Sequence, residues 1–373
     1  MNFDFNEEQV ALQDTVRRFV AKDYTFEKRR TILDSDAGWS REVWQALADL
    51  GVLAINIDED HGGLDYGPQE TGLVMSAFGA GLLLEPYLAA AVIAPALIRR
   101  CLPPKGNPRY AERASADFLE QWLPAIATGE TVVVLAHADA RREPVTEING
   151  SLTGRKAVVA HGACADLLLV SAQTASGGTG LFAVTPGIEG VSLRDYPTLD
   201  GQRAADLVLS NAPAMRIDAG GALDAIDAAL DIGLAALCAE AVGIMEATVA
   251  ATTDYLKTRQ QFGQPIGRFQ ALQHRMADML LHLEQARSMS YLAAMHCTNE
   301  DKSARQRSLS AAKVTIGQAC RFIAQNAVQL HGGMGMTDEL MLSHWFKRLT
   351  VIEMSFGDTD SHLQRFAKLS RAA

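Results

Sequence analysis

The chain has 373 residues, of which 48% are hydrophobic, 21% charged and 6% aromatic. That composition buries a large core in about two or three domains and excludes a disordered or collagen-like polypeptide. Its 34 Lys and Arg against 44 Asp and Glu leave a net charge of −10, which repels a phosphate backbone and argues against nucleic acid as a partner. An anionic ligand must therefore be met locally, by a few Arg side chains or by helix N-termini.

From Asn6 to about Ala125 the apolar period is helical: Val10, Leu12, Val16, Phe19 and Val20 recur on one face, and Ser40 caps a second run through Val43, Trp44, Leu47 and Leu50. Gly62, Gly63 and Gly67 interrupt the pattern before a helix over Thr71 to Leu84 and the apolar stretch Leu88 to Ile98. Pro103, Pro104 and Pro108 mark a surface loop between Cys101 and Arg113. Around residue 130 the period changes to strands, at Thr131 to Leu135, Ser151 to Val159, Asp166 to Ser171 and Gly180 to Val184, with two more near Val191 to Arg194 and Ala204 to Leu209. No long helix separates them, so antiparallel pairing in a small sandwich or barrel is expected. From about Ala222 long Ala-, Leu- and Met-rich helices return. The expected domains are residues 1–125, 126–221 and 222–373.

Cys101, Cys164, Cys238, Cys297 and Cys320 lie far apart with no CxxC pair, so they read as core thiols of a reducing compartment, and no metal site is expected. The first residues, MNFDFNEEQVALQDTVRRFV, carry acids where a signal peptide needs bases, and no apolar run approaches the roughly 20 residues of a membrane span. A cytoplasmic location with no membrane partner is expected.

Two motifs carry chemistry. In YLKTRQQFGQPIGRFQALQHRMADM, from Tyr255 to Met279, a helix is expected to end near Phe262 and Gly263, Pro265 forbids simple continuation, and a second helix begins before Phe269. Arg259 and Gln261 then sit at an exposed helix end where a guanidinium and an amide meet phosphate oxygens. Further on, QLHGGMGM has Gly332, Gly333 and Gly335, which let the backbone curve and aim N–H groups at an anion.

Together these features resemble the acyl-CoA dehydrogenase family of flavoproteins over nearly the whole chain. The opening FDFNEEQVALQDTVRRFV and the segment HGGLDYGPQETGLVMSAFGAGLLLEPYLA are similar to that family's first domain. The C-terminal half looks most like the small subunit of heteromeric pimeloyl-CoA dehydrogenases. The resemblance implies a mainly α fold with an N-terminal helical domain, a middle antiparallel β domain and a C-terminal four-helix bundle. It further implies FAD as cofactor, an acyl-CoA substrate, a dimer of dimers with itself or with a larger subunit, and an electron-transfer flavoprotein as acceptor. In the family each FAD crosses a subunit interface, and the residues lent to its adenine and pyrophosphate end match Arg259, Gln261, Phe262, Gln270, Gln329, Gly332 and Gly333 here.

The flavin-facing half departs from the pattern. Ala138 and Asp139 stand where the family has Thr and Glu, and Val158 and Ala160 replace a flavin-contacting Trp and a hydroxyl residue. The family's base lies in a Glu-Gly-Thr motif. Counting without gaps from Gly332 puts Phe356, Gly357 and Asp358 there, which preserves the glycine; counting back from Gln364 and Arg365 puts Asp358 at the base. The alternative base position, at the start of the first long C-terminal helix, falls on Gly233 and Leu234, with Glu240 two turns further on. The candidate bases are therefore Asp358 and Glu240. Three readings follow: an auxiliary subunit whose partner holds the base, a self-sufficient homotetramer using Asp358 or Glu240, and a non-catalytic scaffold that has lost flavin.

Overall fold

The computed structural model describes residues 5–101, 114–218 and 220–372, so the proline loop after Cys101 lies outside the described residues. The chain opens with helices α1 (Glu7–Lys22), α2 (Phe26–Leu33), α3 (Arg41–Asp49), α4 (Pro68–Gly81), α5 (Ala94–Cys101) and α6 (Ala114–Ala127). Strands follow as β1 (Val133–Ala136), β2 (Thr146–Ile148), β3 (Ser151–Ala160), β4 (Leu167–Gln173), β5 (Thr179–Val184), β6 (Val191–Pro197), β7 (Arg203–Pro213) and β8 (Met215–Arg216). The rest comprises α7 (Ala222–Thr258), the two-residue strands β9 (Gln260–Gln261) and β10 (Gln264–Pro265), α8 (Gln270–His296), α9 (Lys302–His331), α10 (Met341–Met354) and α11 (Thr359–Ala372). Helices, then a β sheet, then helices is the expected order.

Side-chain caps set several of these boundaries. Asn6 and Gln9 form a reciprocal capping box on α1, Ser40 accepts from the Val43 N–H on α3, and Asp301 accepts from Ser303 and Ala304 on α9. Each such cap contributes about 1 kcal/mol. The apolar stretch from Leu88 is not a plain helix. Residues Tyr87–Ile93 wind as a wider π turn before α5, and Pro95, which has no N–H to offer, leaves the Ala91 carbonyl to be taken by the Asn56 side chain at 3.0 Å.

Two compact units divide the chain. One takes residues up to Thr31, Pro68–Leu83 and those from Leu234 on; the other takes Ile32–Gly67 and Leu84–Gly233. In the second unit the strands form one sheet in the order β6-β7-β3-β2-β4-β5-β8, with β1 against β4. The all-antiparallel expectation needs correcting: β1 pairs parallel with β4, and β2 touches β4 in parallel. The β2–β3 hairpin is inserted between β1 and β4, so the chain leaves and re-enters the sheet in the same direction without a helix. Ile57, Leu97, Leu123, Ile126, Leu169 and Leu181 pack into the core of this unit.

In the first unit α9 packs against α8, α10 and α11, the last a fifth C-terminal helix beyond the four expected. The Trp345 indole donates to the Ala80 carbonyl at 3.0 Å, and the buried Arg29 guanidinium donates to the Leu82 carbonyl at 2.8 Å and meets His344 Nδ1 at 3.1 Å. One expectation fails here. Helix α7 is long and apolar enough to cross a membrane, with mean hydropathy 1.8 over its most apolar window, yet 89% of that window is buried inside the protein. Such an apolar face is what a core helix needs.

Candidate functional site

The corner after α7 is a tight β hairpin. The helix stops at Thr258, earlier than Phe262, and the next one begins at Gln270, after Phe269. Both boundaries correct the sequence expectation: Arg259 and Gln261 lie on the hairpin, where the Arg259 N–H still closes on the Tyr255 carbonyl at 2.8 Å and its carbonyl accepts from Ile266 at 2.9 Å. Phe262 and Gly263 turn the chain with φ of 54° and 76°, and Gln261 faces Gln264. Two successive positive φ values define a hairpin turn that favours Asn-Gly, so Phe262 is a strained choice. Its ring is 90% exposed, resting only edge-on against Phe269, with centroids 6.1 Å apart. Arg259, Gln261 and Gln270 are also exposed.

Helix α9 ends at His331, and Gly332 takes φ 62° and ψ −142°, a conformation that only glycine adopts cheaply. A Cβ added at Gly332 or Gly333 would meet nothing, whereas one at Gly335 would press on the Val328 carbonyl at 2.9 Å. The three glycines thus divide: Gly332 and Gly333 present open backbone, and Gly335 is a packing residue. Gln329 is exposed on the last helical turn, and its carbonyl accepts from the Gly332 N–H.

These distant motifs are brought together by one contact. The Tyr255 ring stacks on His331 with centroids 4.3 Å apart, and its hydroxyl donates to the His331 carbonyl at 3.3 Å. His331 Nδ1 meets the Ala327 carbonyl at 2.9 Å, and burial lowers its pKa. His331 is therefore a neutral strut, while His274 is exposed on α8. His344 secures the segment after the glycines by contacting the Asp338 carbonyl through Nε2 at 3.1 Å. A guanidinium, a carboxamide and an open arc of backbone on one exposed edge fit the diphosphate and adenine end of a dinucleotide such as FAD.

The second unit carries the residues matched to the flavin-facing side. Lys156 is buried and donates to Asp139 at 2.6 Å, the His137 carbonyl at 2.9 Å and Ser171 at 3.0 Å; burial lowers its pKa, opposed by the Asp139 carboxylate. The neighbouring bulge in β3 throws Val158 outward with φ 53° and 62% exposure. Asp206 accepts from the Val158 N–H at 3.3 Å, from Arg155 at 2.7 Å and from Tyr196 at 3.0 Å, and the Arg155 bond leads in holding its carboxyl below the usual range. This edge therefore offers an isopropyl group where an indole is expected. It was legible only by matching, because nothing in an isolated AVVA sequence signals a bulge.

The candidate bases are both engaged elsewhere. Glu240 is buried, with Oε1 2.6 Å from Arg348 Nε and Oε2 2.7 Å from its Nη2. A two-pronged ion pair of this kind fixes both carboxylate oxygens and leaves none aimed at a substrate. Asp358 precedes α11 and accepts from the Ser361 N–H at 2.8 Å; hydrogen bonds from Ser361 hold its exposed carboxyl below the usual range. That is a helix cap, and a lowered pKa makes it a poor proton acceptor. Phe356 occupies a left-handed turn with φ 59°. The turn is held from beneath by Lys313, whose ammonium donates to the Glu353 and Gly357 carbonyls at 2.8 and 2.9 Å, and by His362 Nε2, 3.0 Å from the Phe356 carbonyl.

Comparison with known proteins bears on the family and the fold. Residues 6–130 match the acyl-CoA dehydrogenase N-terminal domain and residues 220–370 its C-terminal domain. Similar curated proteins include acyl-CoA dehydrogenase FadE27 of Mycobacterium tuberculosis, 27% identical over 99% of this chain and 98% of that one. The mitochondrial isovaleryl-CoA dehydrogenase of Pongo abelii is 27% identical over 95% of this chain and 86% of that one. Among solved structures, the ChsE4–ChsE5 complex from Mycobacterium tuberculosis has a chain 25% identical, covering 100% of both chains with a TM-score of 0.86. A variant of the Tcur3481–Tcur3483 steroid ACAD is 26% identical over 98% of both, also at 0.86. The chain belongs to the acyl-CoA dehydrogenase family of FAD-dependent oxidoreductases.

Proposed function

We propose that this chain is the auxiliary subunit of a heteromeric acyl-CoA dehydrogenase, of the kind seen in the small subunit of pimeloyl-CoA dehydrogenases. It lends the Arg259–Gln261 corner and the Gly332–Gly333 arc to an FAD whose ring, acyl pocket and base belong to a larger partner chain. One observation carries the reading: each position where a base is expected is spent on something else. Phe356 stands in the turn, Asp358 caps a helix, and Glu240 is locked to Arg348. Two of the similar structures, the ChsE4–ChsE5 complex and the Tcur3481–Tcur3483 enzyme, carry two chain names each, which supports a paired assembly.

The reaction removes an α-proton from an acyl thioester and a hydride from the β-carbon, leaving a double bond. Bound FAD supplies the hydride acceptor. In this reading the present chain moves no proton. Arg259 neutralises phosphate charge, Gln261 and Gln270 offer amides to the nucleotide, and the Gly332 and Gly333 backbone admits the diphosphate without a side chain in the way. Electrons then leave to an electron-transfer flavoprotein. The test is to purify the chain alone and with the dehydrogenase encoded beside it, measuring flavin absorbance near 450 nm and acyl-CoA-dependent dye reduction. Turnover should require both chains. Full turnover by this chain alone, abolished in Asp358→Asn or Glu240→Gln, would overturn the proposal in favour of a homotetramer. A complex colourless in every preparation would leave only a scaffold.

A further inference from the structure

Helices α1, α4, α7 and α8 enclose, within the first unit alone, a cavity of about 350 Å³ that is separate from the corner and the glycine arc. Its size lies at the lower end of small-ligand sites. The space exists because the facing positions are small: Gly72 and Ser76 on α4, Ala235 and Ala239 on α7, and Ala294 on α8. With Leu73 and Val242 added, the floor is apolar.

Several polar groups around it are not spent among the described residues, Gln13 and Ser76 included, and two of them stand where a head group would reach. Ser290 is only 6% exposed, lines the cavity, and has no hydrogen-bond partner among the described residues. Its oxygen is accessible from the cavity, so the hydroxyl is free to meet a ligand there. Arg17 lines the exposed rim on α1 with no ion-pair partner among the described residues. Arg287, the other cation lining the cavity, is shared between two carboxylates, Glu246 at 2.9 Å and Glu284. Gln9 is likewise committed, donating to Glu70 at 2.7 Å. Among the described residues Arg17 is therefore the lining cation to which no carboxylate is bound.

We infer that this cavity binds an apolar carboxylic acid of medium chain length, its hydrocarbon on the Ala and Gly floor and its carboxylate taking donors from Arg17, Ser290 or both. The inference is independent of where the catalytic base lies, because none of these residues belongs to the proposed flavin-binding set.

The full-length protein, in whatever assembly it purifies, is titrated with decanoate and separately with decanol by calorimetry. Decanoate should bind once per chain and decanol at least fivefold more weakly. Arg17→Gln or Ser290→Ala, both at positions that hold no hydrogen bond or ion pair among the described residues, should weaken decanoate about five- to tenfold. Ala294→Leu, which fills the cavity, should abolish binding while bound flavin and melting temperature stay unchanged. Should Ala294→Leu fail to fold, Gly72→Ala, whose new Cβ would lie 3.5 Å from Ala239 Cβ, makes the same test more gently. The inference is overturned by absent saturable binding, by equal binding of decanol, or by affinities that neither the head-group nor the cavity-filling variants alter.

Discussion

Glu240 shows how a residue attractive on sequence spacing acquires a different role from its surroundings. Its position two turns beyond Gly233 is readable from the chain, but Arg348 lies 108 positions away, and no local signal announces their meeting. Removing one partner of a buried pair leaves the other charge without compensation, so Arg348→Ala should lower unfolding free energy by about 3–5 kcal/mol. Urea denaturation checks this, and a loss below about 1 kcal/mol would show that the pair is not the buried tie described. His362 makes a pH prediction. Burial first, and the Arg365 charge second, lower its pKa from 6.5 to about 4. Between those values the unfolded chain holds the extra proton, so stability is fully present above pH 6.5 and falls as pH drops toward 4, by up to about 3 kcal/mol. His331 and His344 are shifted in the same direction. His362→Asn should therefore flatten, without abolishing, the acid limb of a plot of urea midpoint against pH; an unchanged limb would contradict the assignment.

The hairpin and the glycine arc were legible as a pair of turns but not as adjacent ones. Pro265 and Gly263 announce a break, and the GGMG run announces a curved terminus, yet the stack of Tyr255 on His331 that joins them is a tertiary contact. The helix boundary was misplaced because the QQFGQP segment lacks the Asn-Gly pair by which such hairpins are usually read. The strand pattern was likewise legible one strand at a time, whereas the parallel β1–β4 pairing depends on where the β2–β3 hairpin is inserted. Two substitutions test the proposed roles. Gly333 has a negative φ and open space around it, so Gly333→Ala should leave the melting temperature within about 1 °C yet weaken FAD retention about tenfold or more, read by flavin release on dilution. Unchanged retention would remove the arc from the cofactor site. Phe262→Asn relieves the left-handed strain and should stabilise the isolated chain by roughly 0.5–1 kcal/mol. The same change should weaken assembly if the exposed ring is a contact, as size-exclusion chromatography at falling concentration would reveal.

The fold and the family were legible because helix period, strand period and two spaced motifs agree along nearly the entire length. The fate of the candidate base positions was less so. Missing residues at Val158, Ala160 and Phe356 are visible in the sequence, but only the geometry shows that Asp358 is a helix cap and Glu240 an ion-pair partner. If this chain serves the nucleotide end of a cofactor whose ring is housed by another polypeptide, the natively purified enzyme should contain one FAD for each pair of unlike chains, by flavin absorbance against quantified subunits, and bleach when acyl-CoA is added. A single-component assembly of this chain holding one FAD per copy, and bleaching with acyl-CoA at full rate, would contradict the account.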